Sequence, residues 1–175
     1  KTLAFLLPSL QRLLLLQNNM HPKTNRKVQM LIISPTRELA HQIATETRRL
    51  TQHPRSASAG AGAANDTNED DSTILTSQVM YGGMPKYADL QRLRQQVPHI
   101  LTATPGRLLD HIQHTQLASD NTDNDTEGEP FRNLLSNVQI LVLDEMDTLL
   151  KSGFRDAIQE ILHHLPPQRQ TLLFS

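Results

Sequence analysis

Cysteine and tryptophan are both absent from this chain of 175 residues. Without cysteine there is no disulfide framework and no thiolate zinc site, which fits an intracellular protein, with nucleus, cytoplasm and mitochondrion left open. The two Tyr and four Phe are too few for the stacking platforms that grip single strands by their bases. No apolar run approaches the ~18 residues of a membrane span, and the leucine-rich start is broken by Pro8, Gln11 and Arg12. A signal peptide is not visible. The chain does not begin with Met and stops directly after TLLF, so both ends read as cuts through a longer protein. Of the eight histidines, His111 and His114 share a helix face and His163 and His164 are adjacent, but no third ligand stands at a metal-site spacing. Ser, His and Asp occur without a nucleophile-elbow pattern.

The charge is unevenly spread. Acidic, Lys- and Arg-free stretches at 56–73 and 116–130 hold nine of the 18 acids, so the remainder has 17 basic residues against nine acids, a net of +8. A basic body with acidic loops permits a polyanionic partner, which the near-neutral whole would not suggest. Segments 55–73 and 116–130 are small, polar and acidic, with little to bury, and read as disordered insertions.

Between them, apolar patterning alternates between strands and helices. Expected helices cover Thr2–Leu16 (buried, kinked or broken at Pro8), Thr36–Leu50, Lys86–Gln96 and Phe154–Leu165. Another begins at Pro105 with Thr104 as its cap. Expected strands cover Val28–Ser34, Ile74–Met80, His99–Ala103, the run ending at Leu143, and Thr171–Phe174. Such alternation implies βαβ units and a mostly parallel sheet flanked by helices, an α/β fold.

The run QILVLDEMD carries the most chemistry. A buried strand ends in three carboxylates, at the sheet edge where open α/β folds place ligands. Asp144 can hold Mg²⁺ and Glu145 can take a proton from water. Taken alone, the tetrapeptide fits a helix cap with solvated acids equally well.

Four segments in order, Lys1-Thr2, PTRELA (Pro35–Ala40), TPGRLLDH (Thr104–His111) and VLDEMD, together with YGG and Ser175, resemble the N-terminal RecA-like domain of DEAD-box RNA helicases. The resemblance spans nearly the whole chain apart from the two insertions, and PTRELA with TPGRLLDH is its most specific part. It implies a RecA-like P-loop NTPase domain, here partial, and ATP-dependent unwinding of RNA. Lys1 and Thr2 are then the end of a G-x-x-x-x-G-K-T loop, holding ATP phosphates and, through Thr2, Mg²⁺. Asp144 is the second Mg²⁺ residue, and Glu145 activates the attacking water. Pro35, Thr36, Arg37, Gly82, Gly83, Thr104, Pro105, Gly106 and Arg107 are the RNA-contacting positions. Asp147 and Ser175 couple nucleotide state to RNA. The implied partners are RNA, held by its backbone, a second RecA-like domain further along the protein, and protein cofactors. Met146 departs from the Ala of the family motif, a change of packing and not of chemistry. A rival reading is a non-catalytic RNA-binding or assembly protein on a degenerate helicase scaffold. A DNA-directed helicase is disfavoured by PTRELA and TPGRLLDH.

Overall fold

A computed structural model describes residues 1–17, 27–51, 75–117 and 128–175. The segment 55–73 lies outside the described residues. The centre is a five-stranded sheet in the order β2-β3-β1-β6-β7. Its strands are β1 Met30–Ile33, β2 Ser77–Met80, β3 Ile100–Ala103, β6 Ile140–Leu143 and β7 Gln170–Leu173, and every pairing is parallel.

The three inner strands are buried on both faces because helices cover both. Successive side chains alternate between two cores. Leu31, Ile33, Leu101, Ala103, Leu141 and Leu143 join one with Leu108, Ile112, Ile158 and Ile161, from α4 (Pro105–His114) and α6 (Arg155–His163). Met30, Ile32, Ile100, Ile140 and Val142 join the other with Phe5, Leu6, Leu10 and Leu13 of α1 (Thr2–Gln17) and Ile43 of α2 (Arg37–Thr51). Burying side chains of this kind stabilises by about 1.5–3 kcal/mol each, which is the main driving force for docking the helices. The RecA-like α/β fold expected from the sequence is the fold observed.

Several local expectations change. Helix α1 runs unbroken through Pro8, and it is not buried all round, since Leu3, Leu7, Leu14 and Leu15 are exposed. It rests on one face of the sheet, so only one of its sides is covered. The strands are shorter than their apolar runs: Val28 and Leu75 are buried but lie outside β1 and β2, and the Val28 amide donates to the Leu134 carbonyl instead of to a strand. Helix α3 (Lys86–Gln95) matches its expected span closely. Of the segment 116–130, residues 118–127 lie outside the described residues. Its ends, β4 Gln116–Leu117 and β5 Glu129–Pro130, form an antiparallel ribbon, and Leu117 is buried. Leading out of β5, the 3-10 turn Phe131–Asn137 buries Phe131, Leu134 and Leu135 and so anchors the ribbon. A short helix, α5 (Met146–Lys151), follows the carboxylates directly, ahead of the helix expected from Phe154. Among the described residues, no helix is long and apolar enough to cross a membrane.

Candidate nucleotide and RNA site

Parallel pairing brings the separated motifs to one edge. The register aligns Met80, Ala103, Ile33, Leu143 and Leu173 in a single row at the carboxyl ends of the strands. The ladder continues one step further: Thr104 N donates to Met80 O at 3.1 Å, Ser34 N to Ala103 O at 3.1 Å, Asp144 N to Ile33 O at 3.0 Å and Phe174 N to Leu143 O at 3.0 Å. The side chains that follow each strand therefore issue from a fixed frame rather than from free loops.

Asp144 leaves β6 almost wholly buried, at 3% exposure, and accepts the Glu145 amide at 3.1 Å. Burial holds its carboxyl above the usual carboxylate range; the Glu145 amide works against this, the Glu145 charge adds to it, and the Lys1 charge opposes it. A carboxylate short of solvent and under the field of Lys1 suits a cation or a phosphate-bound metal. Among the described residues no cluster of three or more His, Asp or Glu could hold a metal. Asp144 and Thr2 offer a carboxylate and a hydroxyl oxygen, the kind of donor Mg²⁺ takes when phosphates and water complete its shell. Thr2, at the start of α1, is partly exposed and Lys1 is exposed.

Glu145 adopts φ 50, ψ 51, and among the described residues it alone combines a side chain with positive φ. This left-handed turn lets the chain reverse directly from β6 into α5, with Leu149 N donating to Glu145 O at 2.9 Å. Glu145 stands at the N-cap position of α5 but makes no side-chain cap bond, and the Asp144 carboxylate accepts the Glu145 amide instead of an amide inside the helix. Sequence reasoning had no signal for this conformation.

Asp147 is exposed and its carboxylate lies 3.4 Å from Lys151 Nζ, so its side chain turns along α5. The link to the strand that carries Ser175 is made by backbone instead, from Met146 N to Phe174 O at 2.8 Å. Ser175 itself is exposed.

An open cleft beside this edge is lined by Pro35, Thr36, Arg37, Glu38, Gly82, Thr104, Gly106, Arg107 and Phe154. The structure therefore gathers most of the expected RNA positions and adds Phe154, which no sequence motif had marked. Thr36 caps α2, accepting the Leu39 amide at 3.3 Å. Arg37 pairs with neither Glu38 nor Glu46, and Glu46 instead meets Arg49 at 2.6 Å. Gly83, with φ +91, lies against the Arg37 guanidinium so closely that a Cβ would overlap it. Pro105 opens α4 and is buried. Thr104, expected to cap that helix, makes no side-chain cap bond, which leaves its hydroxyl for the cleft.

Arg107 differs most from expectation. As a phosphate ligand it should project into solvent, yet its side chain is only 10% exposed. Its Nε lies 3.2 Å from Asp89 Oδ2, off the angle for a hydrogen bond, and its Nη2 donates to the Met84 carbonyl.

The family model for DEAD/DEAH box helicases matches residues 1–175. The chain is 36% identical over 175 residues to DEAD-box ATP-dependent RNA helicase 25 of Oryza sativa subsp. japonica, with 100% of this chain and 24% of that protein covered. It is 40% identical over 176 residues to DEAD-box ATP-dependent RNA helicase 26 of the same organism, again over 100% of the chain and 26% of the relative. It is 38% identical over 179 residues to ATP-dependent rRNA helicase spb4 of Sclerotinia sclerotiorum, covering 100% of the chain and 26% of the relative. The chain spans about a quarter of the length of these relatives. With its motifs on one sheet edge and the family match running its whole length, the chain belongs to the DEAD/DEAH box helicase family.

Proposed function

We propose that the protein containing this chain is an ATP-dependent RNA helicase, in which RNA stimulates ATP hydrolysis and hydrolysis is coupled to strand binding and local duplex opening. One observation carries the reading: the in-register ends of β2, β3, β1, β6 and β7 set the Asp144-Glu145 pair and the 35–38, 82–83 and 104–107 cleft along the same edge. Lys1 and Thr2 would hold the ATP phosphates, and Thr2 and Asp144 would hold Mg²⁺. That ion, when bound, neutralises charge on the β and γ phosphates. Glu145, half-buried and fixed by its left-handed backbone, orients the attacking water and accepts its proton.

Thr36, Arg37, Gly82, Gly83, Thr104, Pro105 and Gly106 would hold the RNA through its sugar-phosphate backbone, a mode that does not depend on base sequence. Arg37 is the free cation of that set, since among the described residues it has no carboxylate partner. Asp147 and Ser175 would relay nucleotide state, with the backbone bond from Met146 to Phe174 as their existing connection. A second RecA-like domain would complete the RNA cleft, and protein cofactors would tune it. Retention of both Asp144 and Glu145 at the strand end favours this enzyme over a non-catalytic scaffold.

Glu145→Gln in the full-length protein tests the assignment. RNA-stimulated turnover is expected to fall by about 10²-fold or more, the scale of a lost general base, while ATP affinity by equilibrium binding stays measurable. Turnover unchanged in that variant would overturn the role given to Glu145, and a wild-type protein without RNA-stimulated hydrolysis would overturn the function.

A further inference from the structure

The geometry points to Asp89 as a positioning residue for the RNA cleft, acting through Arg107. This inference rests on the RNA reading of that cleft.

Asp89 sits in α3 with its side chain 1% exposed, where a lone carboxylate would be strongly disfavoured. Three nitrogen-bearing side chains from two helices surround it. Arg92 Nη2 of α3 lies 2.5 Å from Oδ1, while Arg107 Nε and His111 Nε2 of α4 each lie 3.2 Å from Oδ2. The second nitrogen of His111 meets Thr115 Oγ1 at 3.0 Å, and its ring stacks on Phe131 at 5.1 Å. Gln78 Nε2 donates to the Asp89 carbonyl at 3.2 Å, which ties the same turn of α3 to β2.

Arg107 is what links this buried hub to the cleft. Its guanidinium reaches Asp89 with one nitrogen and the carbonyl of Met84 with another. Met84 directly follows Gly82-Gly83, and Arg107 itself belongs to the first turn of α4, beside Thr104 and Gly106. One planar fork therefore fixes the glycine turn against the helix start, and both line the cleft. With Asp89 in place, Arg107 is spent on the protein and sets the spacing of groups that touch RNA, rather than neutralising a phosphate.

A phosphate-binding Arg107 that Asp89 merely sequesters would behave in the opposite direction, which makes the inference decidable. In the full-length protein, Asp89→Asn is expected to raise the RNA concentration for half-maximal ATPase stimulation by about tenfold, roughly the effect of 1.4 kcal/mol. ATP affinity without RNA should be unchanged. The slope of log affinity against log salt should also be unchanged, because no phosphate contact is lost. Lys86→Ala is the control. It removes the other bridge between the two helices, Lys86 Nζ to Asp110 Oδ1 at 3.0 Å, outside the hub, and should leave RNA dependence unaltered. Tighter RNA binding in Asp89→Asn, an unchanged RNA dependence, or an equal loss in Lys86→Ala would overturn the positioning role. If Asp89→Asn does not fold, Arg107→Ala decides it: an unchanged salt slope with weaker RNA binding supports positioning, and a slope reduced by about one marks a direct phosphate ligand. A wild-type protein that RNA does not stimulate removes the cleft reading itself, and this inference with it.

Discussion

The Met146 amide donates to the Phe174 carbonyl at 2.8 Å, so the residue that departs from the family's Ala is joined by backbone to the strand leading to Ser175. A side-chain change at position 146 cannot remove that bond. The Met146 side chain is half-buried and packs on the core shared by α4 and α6.

Met146→Ala should consequently be mild. Loss of half-buried packing costs about 1 kcal/mol, and RNA-stimulated turnover should stay within about tenfold of wild type, since neither carboxylate moves. Chemical denaturation and steady-state ATPase assays on the full-length variant measure both. A drop of many orders of magnitude in turnover would show that the side chain itself shapes the nucleotide site.

Glu145 predicts a stability effect separable from catalysis. Its left-handed φ of 50 disfavours any residue with a Cβ. Glu145→Gly and Glu145→Ala both lose the carboxylate and should hydrolyse ATP equally poorly. The glycine variant should be the more stable of the two by about 1 kcal/mol. Equal denaturation midpoints would mean the turn is relaxed in solution.

Gly83→Ala should act through Arg37. An added Cβ meets the guanidinium, at a φ of +91 that side chains rarely adopt. Arg37 must give way, so RNA half-saturation is expected to rise about tenfold, or roughly 1.4 kcal/mol. ATP affinity without RNA should hold. Titration of RNA into the ATPase assay reads the first, and nucleotide binding the second.

His99 gives the fold a pH dependence. Its Nδ1 accepts the Thr76 amide at 3.1 Å and contacts the Thr76 hydroxyl at 2.9 Å, so that nitrogen must be unprotonated. Burial lowers the ring's pKa below its ordinary 6.5. The unfolded chain then binds a proton at a higher pH than the folded chain does. This contribution to stability is present above pH 6.5 and is lost as pH falls through the depressed folded value. Urea midpoints measured between neutral and mildly acidic pH should decline more steeply for the wild type than for His99→Gln. Parallel curves would show that His99 does not contribute.

Much of this was legible in the sequence because it depended on local pattern. Runs such as LIIS and ILVL, buried on both faces, announced parallel strands. PTRELA, TPGRLLDH and DEMD named the elements that would meet at their ends. Helix spans for α2, α3 and α6 followed from periodicity and were found close to their expected limits, and α4 begins at Pro105 as expected.

Four features depended on contacts between residues far apart in the chain. The order β2-β3-β1-β6-β7 decides which motifs are neighbours, and no residue encodes it alone. Glu145's left-handed turn sits between two amides held by distant strands, Asp144 N on Ile33 O and Met146 N on Phe174 O. Phe154 reached the cleft beside Thr36 and Gly82 because α6 packs against α4. Arg107 read as a phosphate ligand, since Arg in TPGR is chemically suited to one; only packing of α3 on α4 placed a buried carboxylate, 18 residues earlier at Asp89, within 3.2 Å of it. A sequence states which charges exist. Which of them face solvent and which neutralise one another is fixed by the geometry that excludes water from between them.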